Sequence, residues 1–173
     1  MNNSMDLEFL TATRAEFLRY KDLAEKALAQ ISDADLHARP EPESNSIAVI
    51  LQHMAGNLKS RWTNFLTSDG EKPWRERDSE FVEKNLSRAE LLKAWGESWA
   101  CLLDTLDALT PEDLLKTVTI RGQPHTVVLA TQRALAHAAY HVGQIVYLAK
   151  ARKGAAFASL SIPKGQSKGS RAK

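Results

Sequence analysis

Apolar residues recur at threes and fours in four long stretches of this chain, and each stretch predicts an amphipathic helix. The first runs from about Met5 to Gln30, with Leu7, Leu10, Phe17, Ala24, Leu28 and Ile31 on its stripe. The second opens at Ser46, whose hydroxyl suits a helix N-cap, and stops before the breaker Ser68-Asp69-Gly70. Its stripe is Ile47, Ile50, Leu51, Met54, Leu58, Trp62 and Phe65. The third begins with the capping box Ser87-Arg88-Ala89-Glu90 and carries Leu91, Trp95, Leu102, Leu106 and Leu109. The fourth starts near Thr126 and runs to about Lys153, where Gly154 ends it and Lys150, Arg152 and Lys153 suit the negative end of its dipole.

The connections are unequal. Leu66 to Leu86 is long and polar and holds Pro73, which predicts a crossover or a lid. Thr110-Pro111-Glu112-Asp113 reads as one capped turn of helix, and KTVTIRGQ (Lys116–Gln123) alternates, predicting a short extended piece before Pro124. Four long helices with such linkers predict an all-α fold, a four-helix bundle with crossover connections. A weak internal echo agrees: the stretch from Ala27 to Leu36 (ALAQISDADL) parallels that from Thr105 to Leu114 (TLDALTPEDL). Each copy ends a long helix, and each precedes a histidine-bearing helix. A pseudo-twofold relating the halves would bring the second and fourth helices together.

Composition changes little in this picture. The chain has 173 residues, enough for one domain with a sizeable core, and we expect that domain over residues 1–155 with a basic tail at 156–173. Net charge is +2, from 23 basic and 21 acidic residues, and the excess sits in PKGQSKGSRAK, at Lys164, Lys168, Arg171 and Lys173. No basic face marks the body, so nucleic acid is not an expected partner. Cys101 is the single cysteine, which rules out an internal disulfide and suits a cytoplasmic location; we read it as a small core hydrophobe. MNNSMDLEFL lacks the pattern of a secretory signal, and no apolar stretch is long enough to span a bilayer, so no membrane association is expected.

The chemistry lies in three histidines. His137 and His141 stand four apart in ALAHAAYHVGQIVYLA, one above the other on a single helix face. They share a narrow polar seam with Gln144 on an alanine-rich helix. His53 lies outside the apolar stripe of the second helix and closes a facial triad if the two helices meet. Three neutral imidazoles with open positions are the donor set of a catalytic divalent ion. Solvent-facing or core-satisfied histidines remain the alternative. His125, at a helix start, and His37, in a polar loop, read as surface residues; Tyr140 points away from both histidines on the helical wheel and reads as packing. Arg14 interrupts the first stripe, and snorkelling at its edge accounts for it. Ala138 stands where the zincin motif requires glutamate, which excludes a metalloprotease of that type.

The stretches Asn45-Ser46-Ile47 through His53-Met54-Ala55-Gly56-Asn57, and His137-Ala138-Ala139-Tyr140-His141-Val142-Gly143-Gln144-Ile145, resemble the DinB/YfiT-like superfamily of bacterial proteins. These are the damage-inducible bundle proteins, distinct from the translesion polymerase of the same name. The resemblance covers roughly residues 5–153, and the ending Leu160 to Ser167 is similar to that of an uncharacterised branch. It implies one divalent ion, zinc or nickel, held by His53, His137 and His141 with water in the open positions. Its characterised members include S-transferases that use low-molecular-weight thiols, an isomerase of the same kind, and metal-dependent hydrolases.

Two function classes follow. The first is a metal-dependent enzyme acting on a small molecule, in which the site activates a thiol or a water, with a low-molecular-weight thiol as a co-substrate of the transferase version. An acidic thiol needs cations nearby; Arg61, Arg75 and Arg77 are placed for this, although each reads first as a solvated surface charge. The second is a non-catalytic metal-binding or stress-related bundle. A structural ion usually has four protein ligands, and no fourth histidine or cysteine is in evidence, which favours the open, catalytic type. The apolar fourth helix also predicts a homodimer.

Overall fold

The computed structural model describes residues 3–163, Gly165 and Gln166. Its regular elements are α1 (Asn3–Leu28), α2 (Asp33–His37), α3 (Ile47–Trp62), α4 (Arg88–Ala108), β1 (Thr117–Ile120), β2 (Gln123–Thr126) and α5 (Val127–Lys153). Single 3-10 turns lie at Asp78–Phe81, Pro111–Asp113 and Gly154–Ala156. The chain is thus mostly helical, and Lys164, Lys168, Arg171 and Lys173 of the basic tail lie outside the described residues. No described helix is long and apolar enough to cross a membrane.

Local hydrogen bonding fixes most of these starts. Ser46 Oγ accepts from the Val49 amide, Thr126 Oγ1 from the Leu129 amide, and Ser87 with Glu90 forms a reciprocal capping box. The echo is physical: Ser32 with Asp35, and Thr110 with Asp113, form two further reciprocal boxes, each just after a long helix. Gly154 adopts φ 60° and ends α5 by donating its amide to Lys150 O.

Three boundaries depart from the sequence expectation. Helix α3 stops at Trp62 rather than near Ser68, because Thr63 turns extended and Asn64 takes φ 49°, a conformation asparagine tolerates. The extended piece after Lys116 is a full hairpin: Arg121 and Gly122, at φ 54° and 71°, make a two-residue turn of the kind that matches strand twist. Pro124 pairs with Thr119, one step from the turn, where alternation places a non-hydrogen-bonded pair and the missing N–H is not needed. Past α5, Gln30 exchanges two hydrogen bonds with the Ala158 backbone, and Phe157 and Leu160 pack on the core.

The four long helices share one core, α3 against α4 and α5, and α1 against α4 and α5. At its centre Phe17 meets Trp62 and Trp99 edge-on, each with ring centroids 6.2 Å away, and Trp99 lies 5.3 Å from Trp95. Arg14 reaches not along its own stripe but across to Asp107, forming an exposed ion pair between α1 and α4.

Candidate metal centre

The contact of α3 with α5 brings His53 against the His137–His141 pair. Ring centroids are 5.1 Å apart for His53 and His137, 4.9 Å for His53 and His141, and 4.6 Å for His137 and His141. One nitrogen from each lies within 4.8 Å of the other two, so the three are close enough to hold a metal ion. His53 is 5% exposed, deeper than its place beside the apolar stripe suggests, because the 66–86 connection folds over it.

Hydrogen bonds assign the tautomers. His53 Nδ1 is 2.9 Å from Glu80 Oε2, and His141 Nδ1 is 2.8 Å from Gln144 Oε1. Both oxygens accept, so each Nδ1 carries the hydrogen and each Nε2 presents a lone pair to the cluster. His53 Nε2 and His137 Nε2 are 3.1 Å apart, and His137 Nδ1 is buried without a partner among the described residues. Two nitrogens each about 2.0–2.1 Å from one ion sit about 2.9–3.4 Å apart at angles of 90–109°, so this spacing fits a shared cation. Burial holds His137 down to about 3, helped by repulsion from His141 and His53. Burial likewise holds His141 down to about 4, against the opposing Gln144 hydrogen bond. Both imidazoles are therefore neutral at neutral pH.

The support around His53 was not legible as a motif. Glu80 is buried, receives both Arg75 Nε and Nη2 at 2.8 Å, and accepts from His53 through the same carboxylate. Burial alone would raise the Glu80 pKa, but the Arg75 and His53 hydrogen bonds outweigh it and hold the carboxylate ionised. A carboxylate on the far nitrogen of a ligand histidine fixes its orientation and raises its basicity. Gly56, one turn after His53, makes room for this: a Cβ there would sit 2.1 Å from Glu80 Oε1. Gln52 Nε2 donates to the Glu80 and Val82 carbonyls, and Phe81 lies over the His53 ring at 4.6 Å.

Other expected placements need correction. Arg75 is no surface charge; its side chain is 2% exposed and committed to Glu80. Arg61 is half-buried beside Glu71, whereas Arg77 is exposed and stacks over Phe81 at 5.1 Å. His125 is buried, its Nδ1 donating to Gln123 O and its Nε2 bonded by Arg133, and His37 is half-buried against Glu83; neither joins the cluster. Tyr140 stands against both histidines, 5.1 Å from His137 and 4.3 Å from His141, because a long side chain sweeps back over its own helix. It remains 53% exposed, and burial of the rest raises its pKa, so its hydroxyl keeps its proton.

This fold and cluster define a mostly helical protein in which three histidines lie close enough to hold a metal ion. The chain belongs to the family described as "Protein of unknown function (DUF1572)", whose model matches residues 4–166. It is also similar in structure to a conserved protein from Enterococcus faecalis known from its crystal structure, with a TM-score of 0.61. The two are 21% identical, and the match covers 81% of this chain and 94% of that one, a likeness that speaks for the fold alone. No curated protein matches the chain.

Proposed function

We propose that this chain is a DinB/YfiT-like four-helix bundle whose His53, His137 and His141 hold one divalent ion, zinc or nickel. We further propose that it is a cytoplasmic enzyme of small-molecule chemistry, activating a thiol or a water as an S-transferase or hydrolase. The convergence of three imidazole nitrogens within 4.8 Å, two of them turned inward by Glu80 and Gln144, carries this reading. An ion held by three neutral ligands keeps its full charge and, when bound, lowers the pKa of a water or thiol toward ~7.

The chain's own side chains do the rest. Glu80 and Gln144 orient His53 and His141, Phe81 shields the His53 ring from water, and the Tyr140 ring stands against His137 and His141. Elemental analysis of untagged protein purified without added metal tests the triad, beside His53→Ala and His137→Ala. Near-stoichiometric zinc or nickel in the wild type, absent from both variants, is the expected result. No metal, and none taken up on adding zinc or nickel, would sink the triad and the enzyme with it.

The exposed Leu129, Tyr140 and Tyr147 along α5 support a homodimer through that helix. Size-exclusion with light scattering is expected to give twice the chain mass; a monomer would refute it.

A further inference from the structure

A cavity of about 100 Å³ opens beside His137, between α3, the hairpin and α5. Trp62, Phe65 and Ile120 give it an apolar wall, and Arg61 and Arg133 line it with His137. The two guanidiniums are poorly neutralised. Arg61 Nη1 is buried with no hydrogen-bond partner among the described residues. Its Nη2 reaches Glu71 at 3.4 Å, a carboxylate that also serves Arg75 at 3.4 Å and Arg121 at 3.1 Å. Arg133 makes no ion pair among the described residues; it is bonded by the lone pair of His125 Nε2.

The position of Arg61 is built in. A Cβ on Gly70 would come within 3.1 Å of Arg61 Cδ and Nη1, so any other residue there would push the Arg61 side chain aside by a few tenths of an ångström. Gly70 is itself pinned, its carbonyl accepting from the buried Ser60 Oγ at 2.8 Å and its amide donating to Thr119 O at 2.8 Å. A buried charged donor left unpaired is costly, and a planar guanidinium is matched by a carboxylate or phosphate.

We propose that this cavity is an anion pocket that takes the carboxylate or phosphate of a small organic molecule on Arg61 and Arg133. The apolar part of that molecule lies against Trp62 and Phe65. Its remaining end faces His137, and its role as the reacting end rests on the metal site proposed above; the anion pocket itself does not. The enzyme's substrate or co-substrate is accordingly a small organic anion.

Calorimetric titration of the full chain, metal-loaded and metal-stripped, tests this with phenylacetate, phenyl phosphate and the neutral phenylacetamide. At least one anion is expected to bind in both forms, with the amide weaker by about tenfold or more, the worth of a hydrogen bond to a charged group. Arg61→Gln and Arg133→Gln are each expected to weaken the anion by about the same factor, and Arg61→Lys by less. Arg133 is exposed, so its variant keeps the comparison valid if Arg61→Gln unfolds by circular dichroism. Amide binding as tight as the anion's, an arginine variant binding like wild type, or no binding of either anion at millimolar concentration would overturn the pocket. Binding that vanishes on metal removal but survives in the arginine variants would assign it to the ion and overturn the pocket too. Arginine-dependent binding in protein that takes up no metal would leave the pocket standing and remove only the triad.

Discussion

Two buried regions of this molecule are assembled on opposite rules. Around Phe17, Trp62, Trp95 and Trp99 the chain buries apolar rings, whose attraction is non-directional and whose loss is a matter of volume. Beside α3, the Asp78–Phe81 turn buries His53, Glu80, Arg75 and Gln52, whose interactions hold only while every partner is present. A hydrophobic cluster of the same volume would do as well or better for stability. The polar cluster is therefore better explained by the histidine it aims than by the fold it holds.

The sharpest way to separate the two regions is to damage each in turn. Trp99→Ala is expected to lower the unfolding free energy by about 3–5 kcal/mol in urea titrations. Zinc uptake by the protein that stays folded should match wild type; lost uptake there would merge the two regions into one. Arg75→Ala leaves Glu80 as an uncompensated buried carboxylate and is expected to cost about 3 kcal/mol. Combining Arg75→Met with Glu80→Leu should recover most of that stability without restoring tight metal retention. Recovery of both would mean that Glu80 has no part in the site.

Gly56→Ala pushes a methyl into Glu80 Oε1, with an expected cost of about 1–3 kcal/mol and a fall in metal affinity of roughly 10–100-fold as Glu80 leaves His53. Competition with a chelator would measure it, and unchanged affinity would show that the turn yields without cost to the histidine.

A last effect is expected in pH, and it is read in the metal-free protein. His137 and His141 are held at about 3 and about 4, below the ordinary value of 6.5. Below pH 6.5 the unfolded chain takes up protons that the folded chain refuses, so the metal-free protein loses stability as pH falls toward 4 and then 3. Above 6.5 neither group contributes. Urea midpoints followed downward from pH 7 should drop more steeply for wild type than for His137→Asn. Parallel profiles would mean that His137 is as easily protonated in the fold as out of it.

Much of the architecture was legible because it is local. Ser46, Ser87 and Thr126 cap helices through atoms three residues on, and Gly154 ends one with a positive φ; such features survive in any tertiary setting. The hairpin's second strand was hidden by Pro124, whose exclusion from sheets is lifted at a non-hydrogen-bonded pair. His137 and His141 were visible as a pair because helical spacing alone stacks them. Arg75 and Tyr140 were misread for one shared reason: neither a loop's path nor a long side chain's sweep is encoded in spacing along the chain.

Sequence by itself determined the long helices, their caps and the three histidines, since periodicity and capping act over a few residues. Only the tertiary structure decided that Glu80 faces His53 with Arg75 behind it, that Gly56 and Gly70 are places of close approach, and that Arg61 and Arg133 line one cavity beside His137. Most of these pairings join residues twenty or more apart in the chain. They exist because the 66–86 connection and the hairpin pack over α3 and α5, and no short-range rule contains that packing.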